Sequence, residues 1–178
     1  FSSMPDSLLE QRTFFKLVCG AGNEDSESVK RLVYVYAKAG CKVFDLSANK
    51  EILNSAKEAQ KLSGMEDLHY CVSVGIKGDP HINKAQINYD KCVKCGSCLK
   101  SCQNDAITDY IKVNELKCIG CGICAKNCPQ NAISMIEKDA DVKTILPYLV
   151  DNGAEILELH VTGQDVTDLD YKWKIINE

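Results

Sequence analysis

The chain has 178 residues, 45% of them apolar and 26% charged, with a net charge of −4. That is globular composition, with too little basic charge for a nucleic-acid partner and no apolar run near the ~20 residues that cross a bilayer. Eleven cysteines, in a chain whose start (FSSMPDSLLEQR) lacks the charged and apolar segments of a secretory signal, fit a reducing, cytoplasmic setting.

Residues 14–19 form a short apolar run stopped by Gly20-Ala21-Gly22, which reads as a buried strand. Val29, Leu32, Val33, Tyr36 and Ala37 then recur at helical spacing, and Gly40 stands where a C-terminal glycine cap would. Residues 41–46 are a second strand. Ile52, Leu53, Ala56, Ala59 and Leu62 trace one face of a second helix that ends near Gly64. Residues 68–74 are a third strand. Strands separated by amphipathic helices predict a parallel sheet with right-handed crossovers. Residues 76–85, with Gly78-Asp79-Pro80, read as a linker.

A cysteine-rich stretch follows and ends near Glu137. Beyond it Val142, Ile145, Leu146, Leu149 and Val150 form a helical face capped by Gly153. Residues 154–161 are a fourth strand. Residues 165–176 are a last helix, with Val166, Leu169, Trp173 and Ile176 inward. The expected organisation is a βαβαβ portion at 1–80, an inserted cysteine-rich α+β unit at 81–137, and a helix–strand–helix continuation at 138–178. Four βα units are about half of a (β/α)8 barrel, which needs ~250 residues. The pattern therefore fits either a small open α/β layer or a portion of a longer, TIM-like barrel.

The cysteine-rich stretch carries the chemistry. Cys92, Cys95, Cys98 and Cys102 are followed 26 positions later by Cys118, Cys121, Cys124 and Cys128. Both sets read C-x2-C-x2-C-x3-C, the spacing of the two-cluster bacterial ferredoxin run, whose fourth cysteine crosses to the other cluster. The expectation is two 4Fe–4S clusters. Cys92, Cys95, Cys98 and Cys128 would hold the first, and Cys118, Cys121, Cys124 and Cys102 the second. Gly96 and Gly122 follow the second cysteine of each set, where a residue without Cβ can take positive φ. Lys91, Lys100 and Ala106-Ile107 match Lys117, Lys126 and Ala132-Ile133 at the same offset, so the unit is an internal duplication. Zinc sites pair two C-x2-C hooks instead. Gln103 follows Cys102 where the motif usually has proline, which leaves the backbone of the second site less restrained.

Outside that run, Cys19, Cys41 and Cys71 fall in or at the ends of strands, as small buried apolar residues often do. Cys19, Asp45, Ser47, Glu158 and His160 lie toward one sheet edge, the edge where parallel α/β folds place ligands. They are the candidates if the chain is catalytic, although hydrogen-bonded strand ends account for them more readily. Ser73 falls at the same edge, and His69 and His81 stand alone. Lys91, Lys94, Lys100, Lys117 and Lys126 surround the cysteines and would suit an acidic redox partner protein.

Residues 86–137 resemble the bacterial two-cluster 4Fe–4S ferredoxin domain. The flanks, Phe15-Lys16-Leu17-Val18-Cys19-Gly20-Ala21, Val43-Phe44-Asp45-Leu46-Ser47-Ala48, and Ala154-Glu155-Ile156-Leu157-Glu158-Leu159-His160 with Gly163 and Trp173, resemble the light-dependent period protein A (LdpA) family. That resemblance implies a ferredoxin module set in an α/β region and a redox-sensing role in timing or light responses. The expected function is electron transfer or redox sensing. The alternative is a cluster-containing oxidoreductase, or a subunit of one, with a substrate or cofactor site at the C-terminal edge of the sheet.

Overall fold

The computed structural model describes residues 6–10, 12–20, 22–138, 141–162 and 165–177. Ala21 and Gly163, singled out above, lie outside the described residues, as do the first five. A short helix α1 (Asp6–Glu10) precedes β1 (Lys16–Val18). Then come α2 (Ser26–Lys38), β2 (Val43–Ser47), α3 (Lys50–Ser63) and β3 (His69–Gly75). After the cysteine-rich stretch the chain adds α6 (Val142–Asp151), β6 (Ala154–His160) and α7 (Val166–Asn177). Local chemistry sets the boundaries. Asp25 and Asn49 accept amide hydrogen bonds at the starts of α2 and α3, and Gly64 ends α3 at φ 66°.

The strands form one sheet in the order β1-β2-β3-β6, all parallel. Each right-handed crossover moves one place in the same direction, so every helix lands on the same face. Burial agrees. One core cluster joins Phe44, Leu46, Tyr70, Val72 and Val74 to Val29 and Val33 of α2, Ile52 and Leu53 of α3, and Leu146 and Leu149 of α6. The opposite face carries Lys16, Asp45, Cys71, Ser73 and Glu158, by strand alternation.

Residues 76–85 are more than a linker. A 3-10 turn (Pro80–Ile82) leads into β4 (Asn83–Ile87), which pairs antiparallel with β5 (Ile133–Glu137). Asn83 faces Glu137 and Ile87 faces Ile133. Between them lie α4 (Ser97–Ser101) and α5 (Ile123–Lys126). This part has its own core, with Ala85, Ile87, Ala106, Ile107 and Ile111 packed around Cys98, Cys118 and Cys124.

Some positions expected to face inward do not. Leu62 is 62% exposed at the end of α3, and on α7 Val166 and Trp173 are 66% and 58% exposed. Ile175 and Ile176 pack on the core instead. Lys172 is buried, with its Nζ 2.8 Å from the Gly75 carbonyl and 3.0 Å from Asp168. A lysine stem is apolar enough to pack inward when its ammonium finds partners.

Candidate metal centre

The duplication is written into the backbone. Lys94 and Gly120, Gly96 and Gly122, and Asp105 and Asn131 all have positive φ, and the members of each pair stand 26 residues apart. The Cys92 amide donates to the Asn88 carbonyl at 3.1 Å, and Cys118 does the same to Asn114 at 3.1 Å. Asn88 donates to Ala132 at 2.8 Å, and Asn114 donates to Ala106 at 2.7 Å. These last bonds are reciprocal: each half closes on the other.

The closure sorts the cysteines. Cys92, Cys95, Cys98 and Cys128 line one cavity, together with Pro129. Cys102, Cys118, Cys121 and Cys124 line another, together with Gln103 and Gly122. Each cavity takes three cysteines from one run and the last cysteine from the other, because α4 and α5 end just before Cys102 and Asn127 and direct the final thiols across. The sulfurs already receive backbone N–H groups: Ala85 to Cys118 at 3.4 Å, Ala106 to Cys102 at 3.3 Å and Ala132 to Cys128 at 3.2 Å. Ser97 holds the Cys95 thiol below its ordinary value, while burial pushes Cys98 and Cys124 up. Buried thiols that resist ionisation beside amides aimed at sulfur suit a cationic iron core that displaces their protons. Four soft donors around one small cavity fit an iron–sulfur cube.

Lys84 was not singled out in the sequence. It is buried on β4, with its Nζ 2.8 Å from the Cys118 carbonyl, 3.1 Å from the Gly22 carbonyl and 3.1 Å from Glu24. It ties the second cysteine set to the loop after β1. The Glu24 amide also donates to Leu116 at 3.0 Å. A Cβ on Gly22 would lie 2.9 Å from the His81 carbonyl. The cysteine-bearing part therefore sits directly on the C-terminal edge of the sheet. The sequence carried no signal for Lys84, which falls in the stretch read as a linker.

The candidate catalytic residues converge in part. Lys16 bridges Asp45 and Glu158, and Ser73 donates to Asp45 at 2.5 Å. Ser47 donates instead to the Asn23 carbonyl at 3.2 Å. His160 stands against Glu158 and Asp79. Cys19 faces the helix-side core, where burial, helped by Asp45, pushes its thiol up to about 12. A thiol so fully protonated is no nucleophile. Cys41 and Cys71 are also buried, and burial raises Cys71 to about 11. His69 pairs with Glu155 at 2.6 Å. Among the described residues no helix is long and apolar enough to cross a membrane.

Residues 85–135 match a family described as a 4Fe-4S dicluster domain, and residues 117–161 match a second family of the same description. The second match begins at the second cysteine set, and no cysteine follows Cys128, so it adds no further ligand run. Light dependent period A of Synechococcus elongatus is 29% identical over 182 residues, covering 97% of this chain. The chain spans about half, 51%, of that relative's length. The dicluster matches lie over the cysteine runs, and the likeness to Light dependent period A runs along nearly the whole chain, so the chain is LdpA-like and its cysteine-bearing part is similar to 4Fe-4S dicluster domains.

Proposed function

We propose that the chain binds two 4Fe–4S clusters, through Cys92, Cys95, Cys98 and Cys128 and through Cys118, Cys121, Cys124 and Cys102, and acts as an electron carrier or redox sensor in a reducing, cytoplasmic setting. The observation that carries this reading is the sorting of eight cysteines into two cavities of four, each drawing on both runs. A bound cube takes up and releases a single electron. The protein supplies the amides aimed at sulfur, the buried Lys84 beside Cys118, and an apolar surround that limits water. Cys95 and Cys121 are exposed, and Lys91, Lys94, Lys100 and Lys126 are exposed near them. A redox partner with an acidic face would meet the clusters there.

The finer architecture belongs to the same proposal. Residues 81–137 are a ferredoxin-like module inserted into an α/β region formed by 1–80 and 138–178, and the α/β region is one part of a (β/α)8-type barrel. Sequential parallel strands and helices on a single face support this.

Anaerobically purified protein should hold about eight irons and eight sulfides per chain. Redox titration followed by EPR should show reversible reduction. Changing Cys128→Ser should damage the site containing Cys92, and Cys102→Ser the site containing Cys118. Zinc in place of iron, or clusters that do not cycle, would overturn the reading.

One observation favours a second reading, an oxidoreductase or a subunit of one. A cavity of about 220 Å3 lies where the sheet edge meets the cysteine-bearing part, lined by Ser47, Ser73, His81 and Lys84. Turnover of an added substrate coupled to cluster oxidation, lost in Ser73→Val, would select it.

A further inference from the structure

Three side chains meet beyond the ends of β3 and β6 that the cysteine chemistry does not use. Asp79 is fully buried. Its Oδ1 caps the 3-10 turn, accepting from the His81 amide at 2.9 Å, and lies 2.7 Å from His81 Nδ1. Its Oδ2 has no hydrogen-bond donor among the described residues, and His160 Nδ1 stands 3.7 Å away. His160 Nε2 is also without a hydrogen-bonded partner among the described residues, with Glu158 Oε1 2.8 Å away. The two imidazoles meet edge to face, with centroids 5.1 Å apart. One donor atom each from Asp79, His81 and His160 lie within 4.8 Å of one another.

The turn cap explains one oxygen of Asp79 and leaves the other unexplained. A buried carboxylate oxygen without a donor is costly. Space for it is specifically left, since a Cβ on Gly75 would lie 2.9 Å from Oδ2. Gly75 is also the register partner of His160, so the sheet itself delivers the second imidazole to that space.

We propose that Asp79, His81 and His160 form a mononuclear site for a first-row divalent cation. Two imidazoles and one carboxylate are a borderline donor set that suits Zn2+ or Fe2+ and, with three protein ligands, leaves coordination positions open. The open side borders the 220 Å3 cavity, which Gly75 and His81 line. Lys84 and Lys138 line the same cavity, but Glu24 and Glu115 pair with them, so a cation does not face unbalanced ammonium groups.

The test is equilibrium dialysis of the anaerobically purified protein, clusters retained, against Zn2+ as probe. About one zinc per chain is expected, beyond the unchanged iron, with a dissociation constant in the micromolar range or tighter. His160→Gln and His81→Gln should each weaken binding by at least ~100-fold while iron content and far-UV circular dichroism hold. If either variant fails to fold, the other decides. Absence of zinc uptake, or equal uptake by the folded variants, overturns the proposal.

Discussion

Lys84 shows how one side chain joins two chemistries. Its ammonium contacts the carbonyl of Cys118, whose own thiol takes the Ala85 amide. A cation this close to a thiolate-bound centre favours the form that carries the extra electron. Changing Lys84→Met keeps the stem and removes the charge, so the potential of the second cluster should fall by on the order of tens of millivolts, with the first cluster nearly unmoved. Redox titration of the two EPR signals checks this, and an equal shift in both would remove Lys84 from the account. The eight cysteines were legible in the sequence because cluster ligands come at short, fixed spacings. Asp79, His81 and Lys84 were not, because they meet their partners only after β3, β4 and β6 are in place. Their stretch has no helical period and too short an alternation to announce a strand.

Elements were legible where one face is apolar and the ends are capped. The periods of α2, α3 and α6 and the runs of β2, β3 and β6 largely match the sequence reading, since each buries most of its apolar positions in one cluster, while Tyr36, Leu62 and Val150 stay exposed. The face of α7 was misread because Val166 and Trp173 are apolar yet exposed, while Lys172 is buried by its contacts with Gly75 and Asp168. At the junction of elements, Gly120 is the tightest point. It has φ +74°, and a Cβ would lie 2.2 Å from the Pro80 carbonyl and 2.6 Å from that of Asn83. Gly96 has φ +77° with nothing within 4 Å. Gly96→Ala should therefore cost only the backbone term, ~1 kcal/mol, whereas Gly120→Ala should cost more than ~3 kcal/mol through strain and clash together. Urea unfolding of the holoprotein measures both. Equal losses would mean that the turn around Pro80 yields and does not hold the second cysteine loop in place.

Two separate cores predict two separate fates when iron is lost. The core between sheet and helices is large and closed, with Phe44, Leu46, Ile52, Leu53 and Leu149 fully buried. The other core has eight buried residues, of which Cys98, Cys118 and Cys124 are three. Its apolar remainder is too small to stand alone, as is general for modules of this size. Folding there should be coupled to metal binding. Stripping iron with a chelator under oxidising conditions should therefore speed amide exchange across residues 85–135 by at least ~100-fold, while β2 and β3 keep their protection. The contacts at the boundary should loosen with the smaller core: the Glu24 amide bonded to Leu116 and the Lys84 ammonium bonded to Gly22. Hydrogen-exchange mass spectrometry resolves these segments. If the strands of the larger sheet lose protection in step with the cysteine loops, the sheet does not stand without the clusters, and iron serves the whole fold and not one end of it.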